Sequence, residues 1–189
     1  MLFYFYLLFP SVFFLAALTL GLITPGYNPV KEPISMLAVA PDGIWQTLNF
    51  IICGFFIFLL GFQIQRLHSP ILIKKLVSNT IALVGIFLIL LGFFPTDRSF
   101  MPTTLNGVIH LLLFILIVAT FLIGELIAGI KMFNNNRFYA SYSLLSFALS
   151  LVAVILMLAY QGYLGIFQRI FVATIIFWFT LSPLVIKQK

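Results

Sequence analysis

LNGVIHLLLFILIVATFLIGELIAGI, residues 105–130, decides the fold. From His110 to Glu125 it runs without another ionisable side chain. A core helix of a water-soluble domain seldom needs more than about 14 apolar residues in a row, whereas a bilayer crossing needs about 20. This stretch is of the longer kind and reads as a membrane span. Similar runs recur on both sides of it, predicting five further spans over residues 3–23, 44–64, 76–94, 139–160 and 166–186. Six spans and their short connections fill residues 1–189 as a single transmembrane domain. The expected fold class is all-α, an integral membrane six-helix bundle.

Composition agrees. Of the residues, 63% are hydrophobic and 7% charged, and the mean hydropathy of +1.21 lies outside the range of soluble domains. The 23 Phe, 7 Tyr and 2 Trp suit a lipid-facing bundle with aromatic interfacial belts. The net charge of +6 does not signal nucleic acid, because the basic residues are scattered over loops and helix ends with no basic stripe. Cys53, the one cysteine, stands inside an apolar run and reads as a small packing residue. The N-terminal run lacks a charged leader and a small-x-small cleavage site, so it reads as a retained first span. No GxSxG, HExxH, P-loop or GxGxxG motif occurs in a usable context, and no cofactor is expected.

The connections set the orientation. TPGYNPVKEPISMLAVAPDG, residues 24–43, holds four prolines and is the longest, with a short interfacial helix expected at 34–39. With both termini cytoplasmic, the inner face holds Arg66, Lys74, Lys75, Lys131, Arg137, Lys187 and Lys189, and the outer face Lys31, Arg98 and Arg169. That asymmetry obeys the positive-inside rule. Pro10 predicts a kink in the first span. Ser143, Ser146 and Ser150 predict a small polar face on the fifth span, either for helix packing or as a cavity lining. Gly54 with Gly61, and Gly85 with Gly92, predict faces where backbones approach closely.

On this topology the costly polar groups gather at the outer ends: Ser35, Asp42, Asn49, Asp97, Arg98, Asn106, His110, Tyr160, Gln161, Gln168 and Arg169. Asn106 and His110 are one helical turn apart and share a face. His110 is a candidate proton shuttle or general base, with Asp97 orienting it or pairing with Arg98 or Arg169. The competing reading is a hydrogen-bond network that ties helix ends together. The two histidines fall on opposite sides, His68 inside and His110 near the outside, so they cannot share a metal. A metal held by His110, Asp97 and Asp42 is not expected. Glu125 lies about 22 Å from His110 at the helical rise, and is expected to find a partner such as Lys131 at the inner boundary.

Three segments resemble a prokaryotic family of six-span membrane proteins known as domain of unknown function 998. They are PISMLAVAPDGIWQTLNFIICGFFIFLLG, GFFPTDRSFMPTTLNGVIHLLLF and GIFQRIFVATIIFWF. The resemblance rests on Pro33, Ile34, Ser35, Asn49 and Gly54; on Gly92, Phe94, Pro95 and Asp97; on Gly107 and His110; and on Gln168 and Arg169. It implies a six-helix fold and a set of positions, not a reaction. Those positions coincide with the outer polar groups.

Three functions remain open at this point. One is a non-enzymatic membrane protein that binds a lipid, a small amphiphile or a partner protein, or forms a homo-oligomer, through a polar pocket at the outer ends. Another is a hydrolase or transferase acting on a lipid headgroup, with His110 as base, Asp97 as orienter, and Arg98 or Arg169 holding an anionic group. The third is a small transporter using Glu125 and His110. Expected surroundings are membrane lipids, without nucleic acid, in the cell membrane of a prokaryote.

Overall fold

A computed structural model describes residues 2–67, 71–98 and 102–187; His68 and Lys189 lie outside the described residues. Among these residues the chain is helical, with no strand. Helices α1 (Leu2–Tyr6) and α2 (Phe9–Ile23) make the first span. After a 3₁₀ segment at Ile34–Val39 come α3 (Ile44–Gln65), α4 (Ile71–Phe93), α5 (Leu105–Met132) and α6 (Arg137–Ala159). A second 3₁₀ turn, Gln161–Tyr163, leads into α7 (Leu164–Lys187).

Six stretches are long and apolar enough to cross a membrane. Between 28% and 44% of each span's most apolar window is buried, so most of each span faces outward. Leu22, Leu72, Leu158 and Phe177 are among the large apolar side chains left exposed. An apolar surface that wraps a whole bundle has no place in water. The chain is an integral membrane protein, and these outward faces contact lipid.

Three boundaries differ from the sequence reading for identifiable reasons. The kink expected at Pro10 is a break just before it, and Pro10 stands in the first turn of α2. There its missing N–H leaves no helical bond unmade. Helix α4 begins at Ile71, five residues before the expected 76, because its two lysines do not interrupt it. Lys74 is half-buried along its stem, and its Nζ donates to the Leu67 carbonyl at 2.9 Å. Helix α6 begins at Arg137, capped by Asn136, whose Oδ1 accepts from the Tyr139 N–H at 3.0 Å.

The tightest pairing is α3 against α4. A Cβ on Gly54 would stand 2.9 Å from the Gly85 carbonyl oxygen, and one on Gly85 would stand 2.8 Å from that of Gly54. One turn-pair along, a Cβ on Gly61 would meet the Ser78 carbonyl oxygen at 2.8 Å. The two glycine faces read from the sequence therefore lie against each other, backbone on backbone. The Ser78 hydroxyl crosses the same seam to the Gly61 carbonyl at 2.9 Å.

The 24–43 loop is ordered by turns rather than by helix. Tyr27 N donates to the Thr24 carbonyl at 3.3 Å across Pro25 and Gly26. Gly26 has φ of 76°, which suits the third position of a type II turn. The expected short helix at 34–39 is present as the 3₁₀ segment, with Ile34, Ser35 and Leu37 buried.

Candidate functional site

Beneath the 3₁₀ segment lies a cavity of about 630 Å³, its mouth included. Its walls are apolar: Phe13 from α2, Phe50 and Ile57 from α3, Val84 and Leu88 from α4, Phe114 and Ile117 from α5, Phe171 and Phe179 from α7. Three polar side chains edge it, Ser35, His110 and Gln168. All three are buried. Helix α6 contributes no lining residue, so the serine face of that helix is not a cavity wall.

His110 and Gln168 are each fixed by a backbone group. His110 Nδ1 lies 2.6 Å from the carbonyl oxygen of Phe94, just past the end of α4. A carbonyl only accepts, so Nδ1 carries the proton. In the neutral ring Nε2 is then a free lone pair. Gln168 Oε1 accepts from the Ile34 N–H at 2.6 Å, which ties α7 to the first turn of the 3₁₀ segment. Ser35 follows directly and is held against the cavity by that bond.

The two arginines hold the loop above. Arg169 Nη1 donates to the carbonyls of Pro29 at 2.8 Å and Glu32 at 3.2 Å, and Nη2 donates to the Tyr27 hydroxyl at 2.6 Å. Tyr27 Oη in turn donates to the Glu32 carbonyl at 2.9 Å. Burial pushes the Tyr27 phenol above its ordinary pKa, against the opposing pull of Arg169. Gly165 lets this loop approach, since a Cβ there would stand 2.4 Å from the Pro29 and Glu32 carbonyl oxygens. Arg98 Nη2 donates to the Val39 carbonyl at 2.8 Å. Both guanidinium groups thus spend hydrogen bonds on loop carbonyls.

Asp97 has a different task from the one expected of it. Its carboxylate accepts from the N–H groups of Thr103 at 2.6 Å and Thr104 at 2.9 Å, and from the Thr104 hydroxyl at 2.7 Å. Thr104 is the N-cap of α5 and accepts from Gly107 N at 3.1 Å. The Thr104 N–H first, then its hydroxyl and the Thr103 N–H, hold the Asp97 carboxyl below its usual pKa. A Cβ on Gly107 would fall 2.2 Å from Asp97 Oδ2, so the glycine is what admits the carboxylate over the helix end.

These contacts give Ile34, Phe94, Asp97, Gly107, His110, Gln168 and Arg169 of the outer-face motifs a place in one connected arrangement. The family described as protein of unknown function (DUF998) matches residues 8–184. The chain belongs to that family. No curated protein and no solved structure matches it.

Within this DUF998 chain the nine site residues read from the sequence divide into groups. Ser35, His110 and Gln168 come together on the cavity. Asp97, Arg98 and Arg169 organise the loops over it. Asn49 is buried beside the cavity without lining it. Its Nδ2 donates to the Phe13 carbonyl at 3.0 Å, and its Oδ1 accepts from Cys53 Sγ at 3.3 Å. Asp42 and Asn106 are exposed, as are Tyr160 and Gln161. Asn106 is one turn from His110 but stands exposed in the first turn of α5. Among the described residues no three His, Cys, Asp or Glu side chains come together as a metal centre. The apolar walls were not singled out in the sequence, since a Phe or Val beside a cavity has the same signature as one in a packed core. Tyr27 also gave no signal. Thr104 did, as a hydroxyl residue three places before Gly107 at a helix start.

A second polar centre lies further down α5. Glu125 is fully buried. The Ser146 hydroxyl donates to its Oε1, and Lys131, its expected partner, is exposed. The serine face of α6 meets this region and α7: the Ser150 and Thr174 hydroxyls are 2.7 Å apart, and Trp178 Nε1 donates to Ser143 Oγ at 3.2 Å. An aromatic cluster joins α5 to α7, and two of its rings, Phe171 and Phe179, also line the cavity. Phe121 packs edge-on against Phe171, Trp178 and Phe179, with centroids 5.7–5.9 Å away. All four rings are fully buried.

Proposed function

We propose that this chain is a binding protein for a small amphiphile, with the apolar tail in the cavity and the polar head at Ser35, His110 and Gln168. The observation that carries this reading is the division of the cavity lining, apolar along its walls and polar at one end only. A hydrocarbon chain gains little from polar walls, and a headgroup needs a few fixed hydrogen-bonding partners. His110 Nε2 offers an acceptor and the Ser35 hydroxyl a donor.

Other features weigh against catalysis and transport. The carboxylate expected to orient His110 caps α5, and the arginines expected to hold an anionic group hold loop carbonyls. The head recognised here is therefore uncharged. His110 and Glu125 share no hydrogen-bond partner. The count of Lys and Arg by loop supports a cytoplasmic location for both termini, with the cavity mouth on the opposite face of a prokaryotic cell membrane. The same reading takes residues 1–189 as one transmembrane domain.

Mass spectrometry of lipids that co-purify with the full chain in mild detergent tests the proposal. One amphiphile class enriched over bulk lipid is expected, reduced about tenfold in Val84→Phe and in His110→Ala, a difference of about 1.4 kcal/mol. Equal retention by wild type and both variants overturns it. Accessibility labelling of single cysteines at Lys75 and Arg98 tests the orientation; modification from one common side refutes it.

A further inference from the structure

We infer that the amphiphile of the cavity is a long-chain carboxylic acid, its carboxyl group seated at the level of His110 on α5 and Gln168 on α7. The inference rests on the binding reading above and names the head. One turn along α5 from His110 stands Phe114, and one turn along α7 from Gln168 stands Phe171. These two rings meet edge-on with centroids 6.3 Å apart. The two polar side chains therefore stand at one level of the bundle. From that level the cavity lining descends α7 through Phe171, Ile175 and Phe179. Gln168 to Phe179 spans about 16 Å at the helical rise, so the apolar lining is long in the direction a hydrocarbon tail would take.

The donors and acceptors on the protein side select the head. His110 Nδ1 gives its proton to the Phe94 carbonyl, so Nε2 presents one lone pair. Gln168 Oε1 accepts from the Ile34 N–H at 2.6 Å, which fixes the orientation of the amide and leaves both Nε2 hydrogens to donate. Among the described residues neither Gln168 Nε2 nor the Ser35 hydroxyl has a hydrogen-bond partner. The site thus offers three donors and one acceptor. An alcohol brings a single oxygen, which accepts at most two hydrogen bonds. An ester has no proton for Nε2, and a primary amide brings two donors to one lone pair. A protonated carboxyl answers the whole set: its O–H donates to Nε2, and its two oxygens accept from Gln168 and Ser35. If the proton passes to Nε2, carboxylate and imidazolium remain a neutral pair, where a lone charge in a bilayer would be costly. A phosphate head would need a cation, and Arg98 and Arg169 are given to loop carbonyls.

Scintillation-proximity binding of tritiated hexadecanoic acid, hexadecanol and methyl hexadecanoate to the full chain in micelles tests the inference. Saturable binding of the acid near one molecule per chain is expected, about tenfold tighter than that of the alcohol or the ester. His110→Ala removes the acceptor and should bring acid and ester to equal affinity. Ser35→Ala removes a hydroxyl that serves no other described residue, and should weaken the acid about tenfold. Alcohol or ester bound as tightly as the acid overturns the carboxyl assignment and leaves the amphiphile reading standing. So does failure of the acid to bind while another lipid co-purifies. Failure of all three to bind, with no lipid enriched on co-purification, overturns both. A preference for the acid that survives in His110→Ala, or, should that variant not fold, acid binding of wild-type strength in Ser35→Ala, also overturns the assignment.

Discussion

At the His110 end, three polar side chains edge an open volume, and two of them, His110 and Gln168, are fixed by backbone groups of a helix end or a loop. At Glu125, on the same helix, the polar atoms meet other side chains within tight packing, and several meet nothing. The first arrangement sets hydrogen-bonding groups beside an apolar-walled opening. The second joins two helices through a carboxylate and a hydroxyl. In a bilayer interior both are costly to bury, and they differ in that only the first has space beside it.

The largest expected effect comes from the aromatic cluster that joins α5 to α7. Trp178→Ala should lower unfolding free energy by about 3–5 kcal/mol, since the ring is fully buried among Phe121 and Phe179 and its N–H serves Ser143. Chemical unfolding in micelles measures it, and an unchanged midpoint would mean that the Trp178 ring does not anchor α7 in the bundle. Ser146→Ala comes next. It strips the Glu125 carboxylate of its hydrogen-bond donor, at a cost of about 1–3 kcal/mol, and should leave the amount of co-purified amphiphile unchanged. His110→Ala is the reciprocal probe. The orphaned Phe94 carbonyl costs about 1 kcal/mol in thermal stability, and should add to the Ser146→Ala cost when the two substitutions are combined. If Ser146→Ala changes the co-purified amphiphile, or the two costs do not add, the two centres are one site.

Asp97→Asn should have the smallest effect, visible chiefly in its pH dependence. The Asp97 carboxyl has a folded pKa below its ordinary 3.8. Its cap on α5 is therefore fully in force above that ordinary value and lost as pH falls through the lower folded one. A melting-temperature series from neutral to acid pH should show an acid decline in wild type that is shallower in the asparagine variant. Superimposable curves would show that the carboxylate is immaterial to the helix end.

Much of this architecture was legible in the residues. The six spans follow from hydrocarbon-length apolar runs, and the α3–α4 contact follows from two glycine pairs each seven residues apart. The gathering of Ser35, His110 and Gln168 was legible through topology, because residues at the same ends of antiparallel spans share a level. Partner choice was not. Nothing local distinguishes an Arg169 that binds a headgroup from one that binds the carbonyls of residues more than 130 positions away. The Glu125–Ser146 pair escaped for the same reason. A lysine six places along the helix was the visible partner, while the true one lay across a turn on α6, where Ser146 had been read only as part of a packing face.

The backbone-to-backbone seam of α3 and α4 has a consequence for how this sequence can vary. Gly54, Gly61 and Gly85 each look directly onto a carbonyl oxygen of the opposing helix at less than 3.0 Å from where a first side-chain carbon would sit. No rotamer escapes such a clash, because the offending atom would be the Cβ itself. A saturation library should therefore show three empty columns here, with even alanine missing, while positions around the cavity trade one apolar residue for another.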